Sequence, residues 1–302
     1  MAPLVSPINS FKVPQNKVIF VLGATGTGKS KLSIDLAYHF HSEIINADKI
    51  QVYKGLDIVT NKVTKQEQLA VHHHLLGHIT DHKADYTSKD FVVDVLKAIN
   101  TIIKSGKLPI IAGGSNSYIE ELVQDPAFGF ESRYKTCFLW LDVDKSVLHS
   151  AVEKRVDEMV RAGLVEEVRK MFEPDSDYTK GIRRAIGMQE FDSKLMHRYL
   201  REENNLDEAE KAEALEIAIS KTKENTCKLS TKQVGKIHRF KDELGWDLNR
   251  IDATPVFEKS GKKAIKEWNN TVMLPCLRIV QEFLKESIDK KISIINEATN
   301  RP

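Results

Sequence analysis

Gly23-Ala24-Thr25-Gly26-Thr27-Gly28-Lys29-Ser30 constrains this chain more than any other segment. It fits the pattern G-x-x-x-x-G-K-[ST] and lies between KVIFVL (17–22) and KSKLSIDLAYHF (29–40). The first flank is apolar and β-branched throughout, as in a strand buried on both faces; in the second, Leu32, Leu36 and Phe40 recur at helical spacing. Strand, glycine turn, helix is the context in which the pattern grips a phosphate chain. Backbone N–H groups of the turn converge on phosphate oxygens and the helix N-terminus adds positive partial charge. Lys29 adds a formal charge, and Ser30 offers a hydroxyl to Mg²⁺. Gly23, Ala24, Thr25, Gly26, Thr27, Gly28, Lys29 and Ser30 are therefore all expected at a bound diphosphate or nucleotide, with Ser30 as the metal ligand. The motif names a phosphate chain, not the reaction performed on it.

A second strand is expected at EIIN (43–46), ending near Asp48, which makes the opening a parallel βαβ unit. Thr87–Ser105 reads as a helix, with Thr87 and Asp90 as a capping box, Phe91, Val95, Ile99 and Ile102 or Ile103 apolar, and Gly106 as its stop. LPIIAGG (108–114) is a third buried strand into a glycine turn, SNSYIEELV a short helix and TCFLWLDVD (136–144) a fourth strand; Asp144 caps a helix from about Lys145 to Arg161 that ends at Gly163. From about 145 to 240 no strand-like run occurs, and charged helical spacing dominates, with Asp207 and Glu210 as a start signal. The sheet resumes at DLNRIDAT (247–254), followed by a last helix around Lys262–Phe283 with Ile265, Trp268, Val272 and Leu277 as buried positions. The fold class expected is α/β: a P-loop NTPase-like parallel sheet core with a helical subdomain inserted. Residues 17–144 with 236–285 would form the core, 145–235 the helical acceptor-side subdomain, and 1–16 and 286–302 tails.

Composition narrows the function classes. The 302 residues are 41% hydrophobic and 29% charged, as in a soluble globular protein, and no apolar run reaches the ~18 residues of a membrane span. Lys and Arg number 45 against 43 Asp and Glu, so the +2 net charge offers no global field for a polyanion. Cys137, Cys227 and Cys276 fit neither a disulfide framework nor a Cys-x-x-Cys zinc site, which points to a reducing compartment. The acid-free leader MAPLVSPINSFKVPQN lacks both an apolar h-region and Arg, so it reads as a transit-peptide remnant or a plain lead-in. Plastid and cytoplasm both stay open, and a monomer is expected.

An ATP-splitting enzyme needs a second acid at the end of an apolar strand, and Asp142 or Asp144 after CFLWL is the candidate, although capping explains Asp144 equally well. Asp48 carries more chemistry. It lies at the carboxyl end of the second strand, the edge that faces the ligand crevice in doubly wound sheets, where a carboxylate can take a proton from a nucleophile. His72, His73, His74 and His78 do not read as a metal site: adjacent side chains on an extended chain point to alternate faces, and no acid sits at ligand spacing. Gly113, Gly114 and Ser115 read as a tight turn or a ligand contact; Tyr118, Trp140 and Trp246 read as core.

In order along the chain, GATGTGKSKLSIDLA, EIINADKIQVYKGLDIVTNKVT, HHLLGHI, KLPIIAGGSNSYIEEL, LWLDVD, RVDEMVRAGLVEEV, AIGMQEF and ENTCKLSTKQ resemble the blocks of the isopentenyltransferase family, over about 17–285. The family comprises tRNA dimethylallyltransferases and the adenylate isopentenyltransferases that begin cytokinin synthesis in plants. The resemblance implies that the glycine loop holds the leaving diphosphate of dimethylallyl diphosphate, with Mg²⁺, and that Asp48 takes the proton from the attacking N6 amine of adenine. It also implies that Thr25 contacts the donor diphosphate and that Thr60 helps hold adenine. GGSNSY (113–118) is similar to the plant adenylate branch, bacterial tRNA enzymes having GGTGLY there. One cysteine after residue 230 leaves no Cys/His zinc finger, and the near-zero charge gives a tRNA little electrostatic help. The expected acceptor is thus ATP, ADP or AMP, with no nucleic-acid or membrane partner.

The acceptor's phosphates need cations. Lys221, Lys228 and Lys232 fall broadly on one helix face of KTKENTCKLSTK, and Arg155, Arg183 and Arg184 offer forks suited to phosphate oxygens. Two alternatives remain: a tRNA dimethylallyltransferase, and a P-loop small-molecule kinase in which Asp48 activates a hydroxyl and Arg183 and Arg184 clamp phosphate.

Overall fold

The structure, a computed structural model, describes residues 16–173, 176–201 and 207–285. Almost all of the expected tails, 1–15 and 286–302, lies outside them. Six strands form one sheet in the order β3-β2-β4-β1-β5-β6, every pair parallel. They are β1 (Lys17–Gly23), β2 (Ser42–Asn46), β3 (His73–His74), β4 (Leu108–Ala112), β5 (Lys135–Asp142) and β6 (Leu248–Asp252). The helices are α1 (Lys29–Phe40), α2 (Ser88–Lys104), α3 (Asn116–Gln124), α4 (Phe130–Arg133), α5 (Lys145–Arg161), α6 (Leu164–Met171), α7 (Lys194–Leu200), α8 (Glu208–Asp242), α9 (Thr254–Phe257) and α10 (Gly261–Glu267). A π-helical turn, Trp268–Met273, follows α10, and helix continues over 274–285.

The unbroken apolar runs follow from burial on both faces. In β1, Val18, Phe20 and Leu22 join the core on one side of the sheet, while Ile19 and Val21 join the core on the other. β5 repeats this with Phe138 and Trp140 against Cys137, Leu139 and Leu141. α1 and the C-terminal helix cover one face; α2, α3 and the C-terminal end of α8 cover the other.

Caps fall where expected. Thr87 and Asp90 form the box that starts α2, Asp207 and Glu210 the one that starts α8, and the Asp144 carboxylate accepts from the N–H groups of Ser146 and Val147 at the head of α5. Tyr118, Trp140 and Trp246 are buried.

β4 ends at Ala112 and runs into the expected glycine turn, where the chain must cross the end of β2: a Cβ on Gly113 would lie 2.1 Å from the Ala47 carbonyl oxygen. Three expectations change. The two-residue β3, unforeseen, adds His73 and His74 to the edge of β2. Ile265 is 38% exposed, since α10 buries none of its residues and docking begins only at Trp268. The boundary placed at 235/236 falls inside the uninterrupted α8, whose Ile237 and Phe240 belong to the same apolar cluster as Met159, Phe191 and the sheet residue Phe138.

Candidate active site

The glycine loop joins β1 to α1 at the carboxyl edge of the sheet. Gly28, the N-cap of α1, has φ 94°, and a Cβ there would sit 3.0 Å from the Trp268 ring, so both conformation and packing require glycine. The Lys29 ammonium donates to the Ala24 carbonyl (2.6 Å). Burial pushes its pKa down to about 8, with the Asp48 carboxylate opposing that fall and the Arg155 guanidinium adding to it. Thr27 turns its hydroxyl inward to the Ala24 carbonyl (2.9 Å), whereas Ser30 is exposed in the first turn of α1.

Asp48 sits two residues beyond β2. One of its oxygens, Oδ1, accepts from the N–H groups of Ile50 (2.9 Å) and Gln51 (3.3 Å), which fixes the side chain in a turn, while among the described residues the other oxygen accepts no hydrogen bond. The N–H of Lys49 donates to Ser115 Oγ (2.8 Å), tying this turn to the end of β4. Thr60 lies on a neighbouring turn: its hydroxyl donates to the Leu56 carbonyl (2.6 Å), and its carbonyl accepts from the Gln51 side chain (2.9 Å). Glu167 of α6 anchors that turn by accepting from the N–H groups of Ile58 (2.9 Å) and Val59 (2.8 Å).

Two helices close over the loop. From α5, Arg155 donates to Thr25 Oγ1 (2.9 Å). From α8, Gln233 accepts from the Thr25 N–H (2.7 Å) and donates to the Gly114 carbonyl (2.9 Å), while Asn116 donates to the Gln233 carbonyl (3.0 Å). One buried glutamine thus pins the glycine loop to the end of β4. The space enclosed, about 380 Å³, is lined by Thr25, Asp48, Thr60, Arg155, Arg184 and Lys232 among others.

Three expected cations lie elsewhere. Lys228 pairs with Glu224 (2.6 Å) on the outer face of α8, and Lys221 is exposed outside the cavity. The wall is instead the stripe Thr222, Thr226, Leu229, Gln233 and Lys236, about 100° round the helix from 221 and 228. Arg183 is buried against Met171 and Glu173 (3.1 Å): consecutive residues of the 3₁₀ turn Gly181–Arg184 diverge by roughly 120°, so Arg184 enters the cavity and Arg183 leaves it. The acids offered as a second metal-site carboxylate are also occupied: Asp142 takes Arg250 of β6 (2.8 Å), and Asp144 is the α5 cap.

Gln233, Lys49 and Lys236 were missed. The polar residues Thr222, Thr226 and Gln233, at i, i+4 and i+11 on one face of α8, were the signal available for Gln233. Lys49 and Lys236 carried none, because only folding brings them beside Arg184. Burial holds the Lys49 pKa below the usual lysine range, with the charges of Arg184 and Lys236 acting the same way and Asp48 against them. Arg184 keeps Nε and Nη2 buried without a protein partner, its nearest ion-pair acid, Asp85, being 3.9 Å away. A wall of Lys49, Arg184, Lys232 and Lys236 is built for anionic oxygens.

Comparison with known proteins shows the family of the chain. A family model described as IPP transferase matches residues 51–132 and 124–238. The chain is 52% identical to "Adenylate isopentenyltransferase 5, chloroplastic" of Arabidopsis thaliana, over 93% of this chain and 84% of that protein. It is 48% identical to "Adenylate isopentenyltransferase 7, mitochondrial" of the same plant (91% and 83%), and 41% identical to an adenylate isopentenyltransferase of Humulus lupulus (88% and 90%). Among solved structures, a eukaryotic dimethylallyltransferase acting on tRNA superposes with a TM-score of 0.71 at 24% identity, covering 90% of this chain and 80% of that one. A tRNA isopentenylpyrophosphate transferase from Staphylococcus epidermidis gives 0.64 at 22%, covering 83% and 96%; at such identities these two speak for the fold. Half-identical relatives matched over nine-tenths of the chain, and a family model spanning most of its middle, decide the matter: the chain belongs to the IPP transferase family and is a prenyltransferase.

Proposed function

We propose that this enzyme transfers the dimethylallyl group of dimethylallyl diphosphate to N6 of an adenine nucleotide, releasing diphosphate, as the first step of cytokinin synthesis. The observation that carries the reading is one cavity shared by the Thr25 end of the glycine loop, the Asp48 carboxylate, and the cations Arg184, Lys49 and Lys236, of which Arg184 keeps two buried nitrogens without a partner among the described residues. The names of the relatives support an adenylate acceptor, and the chloroplastic and mitochondrial labels among them support an organelle, of which we take the plastid.

In this reading the loop N–H groups, Lys29, Arg155 and the Thr25 hydroxyl grip the donor diphosphate. Ser30 fits a magnesium ligand: it is exposed in the first turn of α1, and its hydroxyl makes no hydrogen bond among the described residues. Bound Mg²⁺ would supply neutralising charge at the departing oxygens. The allylic C1–O bond breaks, N6 bonds to C1, and the N6 proton passes to the Asp48 carboxylate. Thr60 borders adenine, and the cation wall takes the acceptor's phosphates, which a tRNA adenosine would present differently.

Mass spectrometry of products from dimethylallyl diphosphate, Mg²⁺ and, separately, ATP, ADP, AMP and unmodified tRNA tests the proposal. Prenylated nucleotide with free diphosphate is expected. Product on tRNA alone would move the acceptor to RNA, and ADP released from ATP would mean a kinase.

A further inference from the structure

At the sheet edge opposite β6, outside the cavity described above, His74 of β3 and His72 just before it, whose carbonyl accepts from the Ile44 N–H (3.0 Å), are two residues apart on extended chain and so share a face. The acid that chain spacing does not supply comes from the adjacent strand: Glu43 of β2 lies beside them, its Oε2 2.6 Å from His74 Nε2. One ligand atom from each of Glu43, His72 and His74 lies within 4.8 Å of the other two. A tetrahedral zinc with bonds of about 2.0–2.2 Å spaces its ligands roughly 3.3 Å apart, so the His74–Glu43 contact would open slightly and His72 would swing inward. His72 is exposed and can move; its ring meets that of His74 edge-on at 4.5 Å, so no stacking holds it away. Lys107 pairs with the other oxygen of Glu43 (2.6 Å), the outer contact that steadies a ligating carboxylate while Oε2 is left to a metal.

We propose that Glu43, His72 and His74 form a three-ligand site for a divalent transition metal of the zinc class, with a fourth position open to water. The mixed imidazole and carboxylate set selects zinc-like ions over magnesium, which takes oxygen ligands. Bound there, the ion clips the two-residue strand β3 to β2 and stiffens the segment that carries Asp48. The claim is independent of the acceptor, and its test needs no turnover.

Chelator-treated full-length protein is titrated with ZnCl₂ without nucleotide, by calorimetry and thermal melting, as wild type and as His72→Ala. The wild type should take up one saturable equivalent, and its Tm should rise by about 5 °C at a hundredfold excess over Kd. His72→Ala, an exposed position whose side chain makes no hydrogen bond, should keep the metal-free Tm and lose at least tenfold in affinity. X-ray absorption should show two imidazole nitrogens and one carboxylate on the bound zinc. A wild-type Tm insensitive to zinc, or an equal rise in His72→Ala, overturns the site and leaves His74–Glu43 as a plain ion pair.

Discussion

At the scale of single residues, the two groups that matter most differ in how their surroundings prepare them. Asp48 is held through Oδ1 by the N–H groups of Ile50 and Gln51, so Asp48→Asn keeps the turn and removes the carboxylate proposed above as the proton acceptor. The expected result is a kcat lower by roughly 10²–10⁴ with little change in donor KM, and steady-state kinetics near wild type would remove Asp48 from the base role. Lys29 has its pKa pushed down to about 8 by burial, so the empty site loses its ammonium as pH rises through that value. In the proposed reading the charged form is the one that grips diphosphate. The advantage of wild type over Lys29→Ala in calorimetric diphosphate affinity should therefore be full near pH 7 and shrink by up to about tenfold per pH unit above 8, a ratio that cancels the ligand's own ionisation. A constant ratio to pH 9.5 would mean that Lys29 stays charged or stands away from the diphosphate.

At the scale of elements, α8 does two jobs on two faces. Its buried face delivers Gln233 to the glycine loop and to β4, and Gln233→Leu would leave the Thr25 N–H unpaired, while the Gly114 carbonyl would keep its bond from the Asn116 N–H (3.0 Å). A loss of about 1–3 kcal/mol in denaturant unfolding is expected, together with a raised donor KM, because the loop is no longer pinned. The same face carries Lys236 into the cavity while Lys228 sits outside on Glu224. Lys236→Ala should raise the nucleotide KM severalfold, and Lys228→Ala should change neither KM nor stability beyond about 0.5 kcal/mol. The reverse pattern in a side-by-side kinetic comparison would mean that the face was assigned wrongly. Heptad-like spacing in the sequence located the helix and a lysine face; which face met the cavity depended on how α8 packs against α5, the sheet and the 3₁₀ turn.

At the scale of the whole molecule, the helical segment after β5 is not walled off from the sheet. Phe138 of β5 stacks on Trp246 (4.7 Å between ring centres), which in turn meets Phe240 of α8 at 4.4 Å, within one apolar cluster that reaches Met159 and Phe191. Unfolding should therefore be a single cooperative event. The three tryptophans, Trp140, Trp246 and Trp268, all report on the sheet and its coverings, whereas far-UV circular dichroism is weighted toward the helices of 145–242. The two signals should trace coincident urea transitions; separated midpoints would restore an independent helical unit.

By itself the sequence determined five of the six strands, all but β3, with the glycine loop, the caps at Thr87, Asp144 and Asp207, and the placing of Asp48 beyond the carboxyl end of β2. Each rests on hydrophobic period or on side-chain-to-backbone bonds made within a few residues, which are local physics. Only the tertiary structure decided that Arg184 and not Arg183 enters the cavity, that Lys49 and Lys236 join it, that Gln233 reaches the Thr25 N–H, and that Glu43 lies beside His72 and His74. Those juxtapositions join residues from elements far apart in the chain. Their side-chain directions are set by helix rotation and strand order, quantities that a run of residue types does not contain.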